Sequence, residues 1–100
     1  MVMFTVERTE VFIDWLDGLD DRRAVARIAV RVQRMEEGKF GDVKPVGEGV
    51  SEMRIDYGPR YRIYFAQRGA IVVFLLCGGD KRTQDRDIQR AKRMAATLEG

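Results

Sequence analysis

The chain has 100 residues, 45% hydrophobic and 34% charged, with 2 prolines; that length predicts a single domain over residues 1–100, and the composition excludes disorder. It contains no histidine and a single cysteine, Cys77, which removes the commonest general base and the usual zinc ligands together, so neither a metal nor a cofactor is expected. The net charge of +2 hides an asymmetry: residues 1–50 carry 8 Lys/Arg against 10 Asp/Glu, whereas residues 51–100 carry 10 against 6. The N-terminus, MVMFTVERTE, lacks the apolar stretch of a signal peptide. The longest apolar run, Ala70 to Cys77, is too short to cross a bilayer, so the cytoplasm is the expected compartment and no membrane partner is expected.

In chain order, residues 2–6 (VMFTV) predict an opening or edge strand. Thr9 then caps a helix whose Phe12, Trp15, Leu16 and Leu19 share one face, ended by Gly18. A second helix is predicted over 21–36, with Val25, Ile28, Val32 and Met35 as its apolar stripe and Arg23, Arg27, Arg31 and Arg34 along another side. A short extended segment at Lys44-Pro45-Val46 follows, then a strand over 50–57 with Met53, Ile55 and Tyr57 on one face and Glu52, Arg54 and Asp56 on the other. Gly58-Pro59-Arg60 makes a turn into a strand over 61–67, and Arg68-Gly69 turns into Ala70–Cys77, whose continuous apolar character predicts a strand covered on both faces. The final helix is predicted over 83–98, with Ile88, Ala91, Ala95 and Leu98 opposite Arg82, Arg86, Arg90 and Arg93. The order β-α-α-β-β-β-β-α predicts an α+β fold: two N-terminal helices on an antiparallel sheet, with a C-terminal helix whose apolar face packs on that sheet or on a partner.

Two stretches carry candidate chemistry, and each admits a plain structural reading. Symmetric pairing about Gly58-Pro59 sets 54 against 64 and 56 against 62, leaving Arg54 and Arg62 as diagonal neighbours beside Tyr64. They form either a phosphate site, with tyrosines 57, 61 and 64 for base stacking, or a solvated face where Glu52 or Asp56 pairs the arginines. The run GGDKRTQ at 78–84 sets Lys81 and Arg82 at the mouth of a helix, after two glycines that permit unusual geometry or close approach. Its alternatives are an anion site or a glycine-rich turn capped by Asp80 or Thr83. It lacks P-loop spacing.

Taken together, RTEVFIDWLDGL at 8–19, GKFGDVKPVGEGVSEMRIDYGPRYRIYF at 38–65 and LLCGGDKRTQDRDIQRA at 75–91 resemble the RelE/ParE toxin superfamily. The branch is the phage-derived addiction-module killer proteins, of the type II toxin–antitoxin HigB/RelE-like kind. The resemblance implies a RelE-like fold and a ribosome-dependent mRNA interferase, an endoribonuclease in which the RNA 2′-OH attacks the scissile phosphate. It implies Arg62, Lys81 and Arg82 as the catalytic phosphate-holding residues, with Arg54 and Lys44 as supporting phosphate contacts; Tyr64, Arg60 and Arg86 are expected to extend the substrate-contacting surface. Partners would be mRNA, the ribosome and a helix-turn-helix antitoxin encoded alongside, with operator DNA reached only through that antitoxin. Two departures stand out. The stretch DRDIQRA has neither the tyrosine nor the histidine that some relatives use for proton transfer, leaving Lys81, Lys44, Asp80 or Tyr64; and Arg60 stands where this turn more often reads YGPGYR. The missing groups keep open a non-catalytic ParE-like toxin that binds and poisons DNA gyrase, and an inactive member that only binds its antitoxin.

Overall fold

The computed structural model describes residues 3–98. Its elements are β1 (Thr5–Arg8), α1 (Glu10–Asp17), α2 (Arg22–Glu36), β2 (Val43–Gly47), β3 (Val50–Ile55), β4 (Tyr61–Arg68), β5 (Val72–Gly79), a 3₁₀ turn (Lys81–Thr83) and α3 (Gln84–Ala96). The chain is therefore α+β in the expected order. The opening strand lies slightly later than predicted, and Val2 falls outside the described residues.

Local chemistry accounts for the helix starts. The Thr9 hydroxyl accepts from the Phe12 N–H and donates to the carbonyls of Leu75 and Leu76, both at 2.8 Å, so it caps α1 and ties it to β5. Asp21 caps α2 by accepting from Arg23 and Ala24.

One five-stranded sheet runs in the order β1-β5-β4-β3-β2. Strands β2 to β5 form the expected antiparallel meander, while β1 lies parallel to β5, making the sheet mixed. A sequence pattern reports how a strand alternates but not the direction of its neighbour; the helical hairpin carries the chain from β1 at one edge to β2 at the other, and the meander returns β5 to lie parallel beside β1. On one face, Phe12, Ile28, Val32 and Met35 of α1 and α2 pack on Met53, Ile63, Phe65 and Leu75. On the other, Ala91 and Ala95 of α3 pack on Val50, Tyr64, Leu76 and Cys77. The C-terminal helix thus covers its own sheet. Cys77 is buried as expected, and burial pushes its thiol up to about 11. Among the described residues no helix is long and apolar enough to cross a membrane.

Candidate functional site

The β3–β4 hairpin turns one residue earlier than symmetry about Gly58-Pro59 predicts. Ile55 pairs with Tyr61, so Arg54 lies directly opposite Arg62 rather than Tyr64. The turn closes through Arg60 N–H donating to the Tyr57 carbonyl at 3.1 Å, with Gly58 at φ 59° and Arg60 at φ 64°. Left-handed geometry at two positions tightens the turn and shifts the register. Like charges placed directly opposite repel, and each arginine has its own carboxylate: Arg54 Nη2 donates to Asp42 Oδ1 at 2.8 Å, and Arg62 Nε lies 3.4 Å from Glu52 Oε2. The pairing alternative read from sequence is therefore present, but with Asp42 in place of Asp56 and with the Arg62 pair buried, not solvated. Even so, Arg54, Arg60 and Arg62 line one open groove, alongside Asp42 and Asp56.

Arg60 occupies backbone space that favours glycine, and a non-glycine residue there costs about 1–2 kcal/mol. Arg60→Gly is expected to raise the urea unfolding midpoint, by up to about 1 kcal/mol in stability. A lowered midpoint would show that the turn is not strained.

Behind the groove lies a buried polar network centred on Glu52, which is 2% exposed. Its Oε2 accepts from Tyr64 O–H at 3.2 Å and from the Gln84 side-chain amide at 2.9 Å, besides facing Arg62. Arg62 Nε is near enough for attraction but not aligned to hydrogen-bond, and Nη1 donates to the Arg60 carbonyl at 2.8 Å. One carboxylate thereby links β3, β4 and α3. The expectation that Tyr64 stacks a base needs correcting: the residue is 0% exposed, and burial beside Glu52 drives its hydroxyl far above the usual tyrosine range. The other two tyrosines are engaged too. Tyr61 is buried against Trp15, and Tyr57 donates to Asp21 with the Arg27 guanidinium 4.7 Å from its ring centroid.

In the GGDKRTQ run, β5 continues through both glycines, with Gly78 opposite Ile63 and Gly79 opposite Arg62. Neither has positive φ; what they supply is room. A Cβ on Gly78 would land on the Trp15 indole, and one on Gly79 on the Asp87 carboxylate. Asp80 caps the 3₁₀ turn by accepting from Arg82 N–H at 2.9 Å, while Thr83 makes no side-chain cap. The Arg82 side chain folds back on Asp80 at 2.9 Å, and its hydrogen bonds hold that carboxyl below the usual range. Lys81 is exposed, and its N–H faces the Pro59 carbonyl at 3.4 Å, which brings this run against the β3–β4 turn. Lys81, Arg82 and Arg86 line a second open depression.

The structure thus gathers Arg54, Arg60 and Arg62 in one groove and Lys81, Arg82 and Arg86 in a neighbouring one. Lys44, on edge strand β2 opposite Glu52, is exposed and lines neither. Gln84 and Asp87 were not foreseen as participants. Their signal is the helical period: 84, 87, 88, 91 and 95 share the sheet-facing side of α3, so two polar residues occupy positions of an otherwise apolar stripe. Asp87 is buried and accepts from the Thr83 hydroxyl. Among the described residues, no three His, Cys, Asp or Glu side chains converge to hold a metal ion.

Comparison with known proteins places residues 14–96 within a family described as "Phage derived protein Gp49-like (DUF891)". A Haemophilus influenzae protein, described as "Uncharacterized protein", is 46% identical over 93 residues, covering 93% of this chain and 94% of its own length. No solved structure matches the chain.

Proposed function

This chain belongs to the phage-derived Gp49-like family, and on that footing we propose that it is the toxin of a toxin–antitoxin pair, of RelE/ParE type, that cleaves mRNA on the ribosome. The observation that carries this reading is the cross-strand Arg54–Arg62 pair with Arg60 in the same groove. Arg54 and Arg62 already have carboxylate partners, Asp42 and Glu52, and Arg60 has no salt bridge among the described residues, so the groove offers a phosphate one free planar fork beside two that are held in position. In the reaction the 2′-oxygen bonds to the adjacent phosphorus as the bond to the 5′-oxygen breaks. One proton leaves the 2′-OH and one reaches the departing oxygen, while the arginines stabilise charge on the non-bridging oxygens.

The candidates for proton transfer narrow on physical grounds. Tyr64 is sealed in the sheet, and hydrogen bonds from Arg82 make the Asp80 carboxylate a weaker proton acceptor than an ordinary aspartate. Lys81, exposed beside the turn that carries Arg60, is the best placed of the remaining two, with Lys44 further out on β2. Arg82 and Arg86 then contact flanking phosphates. The partner that silences the toxin is a helix-turn-helix antitoxin, and operator DNA is met only through it.

One observation favours a second reading, the non-catalytic gyrase poison: all three tyrosines are engaged and the chain has no histidine. Induced expression separates the two. The interferase gives rapid translation arrest with transcripts cut inside reading frames, and Arg54→Gln or Lys81→Ala reduces cutting by roughly 100-fold. SOS induction with intact transcripts would establish the gyrase reading, and full toxicity in both variants would dismiss the assigned site.

A further inference from the structure

The groove described above shares part of its wall with another. Ile55 and Asp56 form one wall of it, and they also wall a second open groove that runs along the outer side of α2 past Arg23, Arg27, Arg31 and Arg34. The two are joined physically as well: Arg31 Nη1 donates to the Arg54 carbonyl at 2.7 Å. Arg31 spends its second nitrogen on the Phe40 carbonyl at 3.2 Å, fixing α2 against the sheet edge. Arg23, Arg27 and Arg34 are exposed, and none of them forms a salt bridge among the described residues.

This arrangement works against the helix taken alone. Arg23, Arg27 and Arg31 follow at four-residue spacing, and like charges so placed each destabilise a helix by about 0.2–0.5 kcal/mol. Asp56, at the junction, is the acidic side chain lining the α2 groove. We propose that the α2 groove is a second binding surface for the phosphate backbone of an RNA strand, adjoining the Arg54–Arg60–Arg62 groove, so that one strand spans both. The inference rests on the function proposed above and extends it. Charge complementarity and adjacency identify the occupant: Arg23, Arg27 and Arg34, which form no salt bridge among the described residues, line a groove that shares the Ile55–Asp56 wall with the groove assigned to the scissile phosphate. The Arg27 guanidinium lies over the Tyr57 ring, 4.7 Å from its centroid, and this contact holds the side chain in the α2 groove.

The test is fluorescence anisotropy of a labelled short oligouridine against the full chain, across a salt series. The variants are Arg23→Gln/Arg27→Gln/Arg34→Gln together, and Arg54→Gln alone; circular dichroism checks that each is folded. With the α2 groove engaged, the triple variant binds at least about tenfold more weakly at low salt, and the slope of log affinity against log salt falls by about 2, near 0.7 per lost contact. If the triple variant binds the oligouridine as the unaltered chain does while Arg54→Gln binds weakly, the α2 inference is overturned and the proposed function stands. If neither variant weakens binding, both readings fail. A labelled poly-glutamate peptide is titrated in parallel. Loss of its binding in the triple variant, with oligouridine affinity intact, would assign the face to an acidic protein and overturn the inference.

Discussion

Gly79→Ala is expected to be among the most damaging single-methyl changes available to this fold. Gly79 sits in β5 opposite Arg62, and the space beside its Cα is taken by the Asp87 carboxylate of α3, with Thr83 Oγ1 3.0 Å from where a Cβ would lie. Neither neighbour is free to retreat, because Asp87 is buried and accepts from Thr83. Forcing a methyl group into such a site costs about 1–3 kcal/mol or more, a large part of the 5–15 kcal/mol typical of a whole domain. The expected result is a urea midpoint shifted to match, with α3 displaced from the sheet. Asp87→Ala in the same chain recovers part of the loss, since it removes the obstacle. Gly69→Ala is the contrast: nothing lies within 4 Å of the added methyl, and its penalty is the backbone strain of φ +65° alone. An unchanged midpoint for Gly79→Ala would show that the close approach of α3 to β5 does not exist.

The second large effect is expected at Glu52. Glu52→Ala leaves the buried Arg62 guanidinium without a counter-charge and strips the Tyr64 hydroxyl and the Gln84 amide of their acceptor. Breaking one side of a buried pair costs about 3–5 kcal/mol, because the remaining charge is stranded rather than because the pair itself is strong. The double variant Glu52→Met/Arg62→Met should therefore be more stable than Glu52→Ala alone. A double-mutant cycle on urea unfolding gives the coupling, and a value near zero would remove Glu52 from its proposed place under the groove. For the same reason Arg62→Ala is a poor probe of activity, as it strands Glu52, whereas Arg54 pairs at the surface with Asp42 and is replaced more cleanly.

Much of the architecture was legible because it rests on local periodicity. The stripe of Ile28, Val32 and Met35, the Thr9 cap, and the unbroken apolar run that becomes β5 each carry their meaning in spacing alone. The hairpin register was not legible, because it depends on left-handed geometry at Arg60, a residue type that does not advertise it. Tyr64 misled for a related reason. Alternation showed which face it takes, but not that α3 covers that face.

The candidate site divides along the same line. The residue types in GGDKRTQ and the arginines of β3 and β4 were set out in the sequence, and so was the absence of histidine. The sequence by itself determined the element order, the cores of the helices and the kind of chemistry the chain can attempt, since these depend on composition and short-range spacing. Only the tertiary structure decided that Arg54 faces Arg62, that Glu52 lies buried between β4 and α3, and that the two glycines serve close packing rather than a turn. Those outcomes depend on which distant segments share a volume, and excluded volume and desolvation act on neighbours in space, whatever their separation along the chain.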